Sequence, residues 1–343
     1  MLREPLRGVL SIFNILYQTL IVFLRKTIFI TVSLVLHWPV LGVLALTRIF
    51  KTFDYLFLVY PGTDRDLDGY CPRWIAKSWL FSKRPTLGGI ISKSVGGRGL
   101  VLVVPNTIKE FLLHKDACEK VMLRLEMLKG IVGAKSIAIA GQVPGMIFRH
   151  NLKLEKPFVK GDRGTVFSIM ETVSAVMAKH CLKPGEFKIV LIGVGYVGSL
   201  LMSSLQQLGH DIVGIDIQVS RKEVFLWGES RTLLKEADLV IVLTPRGEDF
   251  APYAADLKIG SIVIDDTHPK ITKKPLGVNF YKVAVGLDGA RFLPRLPGYK
   301  ADWIPGCAVE AIYSAATGKF NVSSQAEFNQ GAKKLGFFAH LVS

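Results

Sequence analysis

Cysteine is scarce in this chain: only Cys71, Cys118, Cys181 and Cys307 occur in 343 residues, and no two are close. No Cys-x-x-Cys pair or Cys/His cluster has the spacing of a zinc or iron–sulfur site, so no metal is expected. Scattered single thiols do not make a disulfide framework and suit a reducing compartment. Acidic residues are also in short supply, 28 against 43 Lys and Arg, for a net charge of +15. Motifs of nucleic-acid recognition are missing, so no nucleic acid is expected. The excess charge points to an anionic membrane surface or an acidic partner, with solvated basic faces as the plain alternative.

Charge of either sign is missing from residues 27–46 and from the shorter run 9–24, with only Arg25 and Lys26 between them. The longer run can cross a hydrocarbon core at 1.5 Å per residue. It lacks the small-residue cleavage site of a signal peptide. Residues 1–60 are therefore expected to be a membrane-associated helical region: a single span, a tight helical pair or a monotopic anchor. Arg3, Arg7, Arg48 and Lys51 flank it on every side and leave its orientation undecided. Trp38, Tyr55, Tyr60, Trp74 and Trp79 are candidates for the headgroup level. The catalytic part is expected on the cytoplasmic side, where nicotinamide cofactors and reduced thiols occur.

What the chain does have is a glycine loop in the right setting. Residues 188–192 are an apolar strand running into Gly193-Val194-Gly195-Tyr196-Val197-Gly198, followed by a helix and a second strand ending in Asp216. The first glycine permits the tight turn, the second lets backbone approach a pyrophosphate, and the third allows close helix–strand packing. The helix start at Tyr196 and Val197 offers unpaired N–H groups to the phosphates. Asp216, about 20 residues on, suits the adenosine ribose hydroxyls and favours NAD(H) over NADP(H), although Arg221 and Lys222 are placed to take a 2′-phosphate. Two further buried strands end at Thr244 and near Asp266 and His268, where ligands collect in open parallel sheets. Thr244 is a candidate cofactor contact. His268 is a candidate proton donor, set against an ordinary loop histidine.

Before this loop, apolar strands at 100–104 and 135–140, with a helix at 107–129 between them, indicate a separate α/β domain. Gly141 and Gly145 mark either a substrate contact or a turn. The fold expected is α/β: a Rossmann-type doubly wound parallel sheet, a second α/β domain and the apolar N-terminal region. The boundaries read are 1–60 membrane region, 61–184 substrate domain, 185–300 NAD(P)-binding domain, and 301–343 helices packing back on the first domain.

Pro305-Gly306 breaks the chain before an Ala-rich helix that closes at Gly318. Cys307 falls in its first turn, where exposed N–H groups favour a thiolate; a small buried thiol is the alternative. Glu310, one turn on, caps the helix or orients a proton near the sulfur.

These residues together resemble the aldehyde-forming long-chain acyl-(acyl-carrier-protein) reductases and their predicted amino-acid-dehydrogenase relatives. The resemblance spans about residues 100–342 and rests on Gly193–Gly198, the strand ending at Asp265 with Pro269 and Lys270 beyond it, and the spacing of Cys307, Glu310 and Gly318. It implies that Cys307 attacks an acyl thioester and that hydride reduces the acyl-enzyme to a fatty aldehyde. The acyl group would come from CoA or an acidic acyl carrier protein, and the product would partition into membrane lipid. Two features depart from the family: the apolar first 60 residues are additional, and the loop lacks the family's Thr-Gly pair. Nucleotide-sugar dehydrogenases share the local string around Gly193–Gly198, but they place it at the extreme N-terminus with far more chain behind it. The alternatives are an NAD-dependent dehydrogenase of a small hydroxy or amino acid, with Cys307 inert, and an NAD(H)-binding sensor without turnover.

Overall fold

A computed structural model describes residues 20, 23–24, 26–28, 30–31, 37–68, 71–76, 78, 84–183, 185–218, 222–226 and 230–343. The chain divides into two compact units, residues 1–90 with 98–158, and residues 91–97 with 159–343.

The first unit is built on a sheet in which β1 (Tyr55–Val59) lies centrally, parallel to β3 (Gly97–Val103) on one side and β4 (Ser136–Ile139) on the other. β2 (Thr86–Ser94) flanks β3, and β5 (Phe158–Val159) flanks β4. All five residues of β1 are buried. This corrects the reading of Tyr55 as a headgroup-level residue: it is fully buried in the sheet, and residues 55–59 of the expected membrane region are a core strand. A central parallel strand is covered on both faces, so it is apolar throughout and reads like a further piece of the apolar region before it. Tyr60 is likewise engaged, its hydroxyl accepting the Gln142 amide at 3.0 Å. That hydroxyl lies where a Cβ on Gly141 would fall, so Gly141 is a turn residue packed under Tyr60.

Helix α1 (His37–Ile49) brings Leu44 into the same core. Among the described residues no helix is long and apolar enough to cross a membrane. Most of the shorter uncharged run, residues 29 and 32–36 of the longer one, and Trp79 lie outside the described residues. The single helix expected at 107–129 is two, α2 (Ile108–Leu113) and α3 (Lys115–Val132), broken where His114 adopts extended backbone. Phe111, Val121, Leu125 and Leu128 supply the buried stripe. α4 (Val143–Arg149) follows β4.

The second unit opens with the long helix α5 (Asp162–His180) and continues as β6 (Lys188–Ile192), α6 (Tyr196–Gln207), β7 (Asp211–Asp216), β8 (Val224–Leu226), α7 (Arg231–Glu236), β9 (Leu239–Val242), β10 (Ile262–Asp265) and β11 (Asn279–Lys282). The strands lie in the order β8-β7-β6-β9-β10-β11, every pair parallel. Renumbered from β6, that is 3-2-1-4-5-6, the doubly wound Rossmann arrangement, with its crevice between β6 and β9.

The strands are apolar throughout because both faces are covered. Ile189, Leu191, Ile212 and Ile241 face a core closed by α5 and α6, while Val190, Ile192, Ile215 and Val242 face one closed by Leu234, Phe250 and Tyr253. Each such side chain contributes about 1.5–3 kcal/mol by leaving water.

The chain ends with α8 (Gly306–Thr317) and α9 (Gln325–Lys334), both packed on α5 within this second unit. The helix α5 lies inside residues 61–184, the domain to which they were expected to return, and the contact is close: a Cβ on Gly164 of α5 would lie 2.3 Å from the Gly306 carbonyl oxygen.

Candidate functional site

The glycine loop has the geometry its residue types imply. Gly193 sits at φ 95°, and its amide donates to the Ile215 carbonyl at 2.9 Å. A Cβ there would lie 3.1 Å from the Leu243 backbone, so the turn abuts the end of β9. A Cβ on Gly198 would lie 2.3 Å from the Gly193 carbonyl oxygen, which fixes how closely α6 meets the turn. A Cβ on Gly195, by contrast, meets nothing within 4 Å. The space beside the loop is open at the position where the first amides of α6, those of Tyr196, Val197 and Gly198, have no intrahelical acceptor.

Asp216 is partly turned to local work. Its carboxylate accepts the Val194 amide at 2.5 Å and the Ile217 amide at 2.6 Å, tying the end of β7 to the loop. Oxygen lone pairs remain for a ribose hydroxyl, since each carboxylate oxygen accepts two hydrogen bonds. Lys222 is exposed nearby in sequence, and Arg221 lies outside the described residues. Thr244, at the end of β9, donates its hydroxyl to the Arg246 carbonyl at 3.0 Å.

Beyond β10 the chain builds a polar cluster. Asp265 accepts the Thr267 amide at 2.7 Å, the Thr267 hydroxyl at 2.6 Å and the Ile271 amide at 2.9 Å, which shapes the loop. Lys282, at the end of β11, donates to the carbonyls of Asp265 at 2.9 Å and Thr267 at 2.7 Å. Asp266 is pushed up to about 7 by burial, with Asp265 adding to the shift and the Lys282 cation opposing it. Tyr299 is raised far above the ordinary phenol range by burial first, then by Asp266, Cys307 and Asp265, so these four groups lie close together. His268 is exposed, its ring 5.1 Å from that of Tyr299.

Cys307 stands in the first turn of α8 as expected, half-buried. It packs on the start of α5, where a Cβ on Gly161 would fall 2.8 Å from the Cys307 Cβ. Glu310 does not cap its own helix. Its carboxyl faces the amides of Gly164 and Arg163 at the start of α5. The structure thus sets Cys307 and Glu310 against the start of α5.

Sequence reasoning missed Asp162, Lys282 and Tyr299. Lys282 carried a faint signal, a cation closing an otherwise apolar strand. Asp162 and Tyr299 carried none, because each gains its role from elements remote in sequence.

No family model matches the chain, and no curated protein matches it. The resemblance to the acyl-(acyl-carrier-protein) reductases gains no support there. Solved structures with a similar fold include L-tryptophan dehydrogenase from Nostoc punctiforme (11% identity, 82% of this chain and 80% of that chain, TM-score 0.40). They include the N5,N10-methylenetetrahydrofolate dehydrogenase-cyclohydrolase of Trypanosoma brucei, complexed with NADP and an inhibitor (13% identity, 88% and 95%, TM-score 0.36). An NADPH-dependent glyoxylate/hydroxypyruvate reductase from Sinorhizobium meliloti is a third (13% identity, 35% and 71%, TM-score 0.26). At such identities and TM-scores these likenesses carry no argument about cofactor or substrate.

Proposed function

We propose that this chain is a nicotinamide-dependent dehydrogenase interconverting the carbonyl and alcohol or amine of a small hydroxy or amino acid. The observation that carries the reading is the pairing of an open glycine loop at the β6/β9 crevice with a protonatable carboxyl, Asp266, two strands along the sheet. The loop fits NAD(H) or NADP(H): the amides of Tyr196 and Val197 would hold the pyrophosphate, Gly195 leaves it room, and Asp216 would take the ribose hydroxyls and favour NAD(H). Thr244 closes the crevice at the end of β9.

When bound, the nicotinamide supplies or accepts a hydride. The chain's own part is the proton. In the direction of carbonyl reduction, Asp266, protonated below about pH 7, gives its proton to the substrate oxygen directly or through the Tyr299 hydroxyl. In the direction of oxidation it accepts that proton back. Lys282 holds the carbonyls of Asp265 and Thr267 and so fixes the loop that carries Asp266. His268, against Tyr299, is a second proton-transfer group facing solvent. Polar groups surround the end of β10, which suits a small polar substrate better than a long acyl chain.

The second reading keeps Cys307 as a nucleophile toward a long-chain acyl thioester, CoA- or carrier-bound, with Glu310 beside it. The observation favouring it is the position of Cys307 in the first turn of α8, close enough to Tyr299 to perturb it. We also propose that the N-terminal region holds the chain at a cytoplasmic membrane surface. Val43, Leu46, Ile49 and Phe50 are exposed, and Arg48 and Lys51 stand among them. Flotation with anionic vesicles tests that placement.

The deciding experiment incubates the protein with NADH or NADPH and a panel of 2-oxo acids, and separately with long-chain acyl thioesters. Cofactor oxidation by a 2-oxo acid, lost in Asp266→Asn, supports the main reading. An acyl adduct by intact mass that disappears in Cys307→Ala supports the second. Cofactor binding with neither reaction reduces the chain to a sensor.

A further inference from the structure

Glu310 is a buried acid that the proposed chemistry does not use. It is 6% exposed, and its Oε2 has no hydrogen-bond partner. Facing it across the α5–α8 contact is Asp162, itself 9% exposed, which accepts the Arg163 amide at 2.9 Å. The contact is forced close by glycine: a Cβ on Gly164 would fall 2.9 Å from the Glu310 nitrogen. From α6, the Tyr196 hydroxyl reaches the Asp162 carboxylate. Tyr196 is the residue whose amide lies at the phosphate end of the glycine loop. Two carboxyl groups in one small, largely dry space cannot both ionise cheaply, and a buried oxygen without a partner is costly in either state.

We propose that Glu310, beside Asp162 and the glycine loop, takes up a proton when an anionic dinucleotide binds there. The proposal rests on the dinucleotide reading of the loop. Its cause is Coulombic. A pyrophosphate on the amides of Tyr196 and Val197 places negative charge next to the pair and raises its proton affinity, and by reciprocity the protonated pair holds the anion more tightly. Burial first, and then Asp162, push Glu310 up to about 7, against the pull of the Gly164 and Arg163 amides and the Arg163 guanidinium. The Glu310 proton is therefore taken up or lost in the neutral range.

The charge that opposes this shift at Glu310 is the Arg163 guanidinium. α5 presents Asp162 and Arg163, and α6 presents Tyr196. α9 presents the neutral amide of Gln325, bonded to the Arg163 carbonyl at 2.9 Å. Two charges of α9 are engaged elsewhere, Lys333 with Glu171 and Glu327 with Lys319, and Lys334 stands in its last turn. On its own helix Glu310 has Cys307 one turn before it.

The test is NADH binding to the full chain by fluorescence, between about pH 6 and 9, in wild type and Glu310→Gln. NADH has no 2′-phosphate to titrate. In wild type Kd should rise with pH above neutrality, approaching tenfold per unit at the limit of one coupled proton. In Glu310→Gln the dependence should vanish, while Glu310→Asp should keep it. A flat wild-type profile, or a slope that survives in Glu310→Gln, overturns the proposal and leaves the cofactor reading intact. Absence of NADH and NADPH binding at every pH defeats the cofactor reading and this one with it. If Glu310→Gln does not fold, Asp162→Asn decides: removing the neighbouring carboxylate must move the wild-type midpoint to lower pH, and an unmoved midpoint refutes the proposal.

Discussion

The three loop glycines make separable demands, and exchanging each for alanine distinguishes a binding surface from a packing contact. At Gly195 the backbone is extended, at φ −68° and ψ −159°, which alanine adopts freely, and a Cβ there meets nothing within 4 Å. Gly195→Ala should therefore leave stability within about 0.5 kcal/mol of wild type. If the open space holds a pyrophosphate, the added methyl occupies it, and NADH affinity should fall at least about tenfold, roughly 1.4 kcal/mol. Gly198→Ala is the opposite case. Its Cβ would stand 2.3 Å from the Gly193 carbonyl oxygen, about 1 Å inside normal contact, and both atoms belong to backbone with little freedom to yield. That substitution should cost about 1–3 kcal/mol of stability, since overpacking moves the turn or the helix. The assay is a pair of measurements on each variant, a denaturant midpoint and an NADH titration. Wild-type NADH affinity in a folded Gly195→Ala would refute the claim that the loop faces a dinucleotide.

Asp266→Asn should lower the rate of carbonyl reduction by roughly 10²–10⁴ and abolish the decline of wild-type activity as pH rises through about 7. Reduction needs the protonated acid, so its rate falls with rising pH, while oxidation rises through the same range. Removing the opposing cation in Lys282→Met should shift that midpoint upward, read from kcat against pH. Glu310 has a folded pKa above its unfolded value of 4.5, so the folded state binds the extra proton and loses stability as pH rises from about 5 to 7. Glu310→Gln should flatten that decline in urea melts and stabilise the protein at pH 8 by about 2–3 kcal/mol, reduced by whatever its buried amide leaves unpaired. Cys307→Ala should retain NADH binding in full, and under the main reading it should retain 2-oxo-acid reduction as well; loss of turnover with binding unchanged would move the account to the thiol mechanism.

The Rossmann half of the molecule was legible because its signals are local. Strand, loop, helix, strand and acid follow one another from Lys188 to Asp216, and the close meeting of Gly198 with Gly193 lies within that stretch. The first unit was harder to read for a reason of solvent, not of pattern. Tyr55–Val59 is apolar because two protein layers cover it, and hydropathy does not distinguish a protein interior from a lipid one. The break at His114 was hidden by a helical periodicity that runs on across it. The polar site was legible only in pieces. Asp266, His268 and Cys307 were visible as residue types at promising places, but the partners that give them their chemistry come from other elements: Lys282 from β11, Tyr299 from the loop before α8, Asp162 from the start of α5. Glu310 was read as a cap on its own helix or as a group orienting a proton near the sulfur, because sequence shows the turn it belongs to and not the helix packed against it.

The account's central claim is that this chain moves a hydride at the end of its parallel sheet. The most direct measurement uses NADH carrying deuterium on the transferring face of the nicotinamide, incubated with the wild-type protein and the 2-oxo-acid panel, with products read by mass spectrometry. The account predicts deuterium on the carbonyl carbon of at least one product, absent in Asp266→Asn. Tight NADH binding with no deuterium transferred to any acceptor would contradict it.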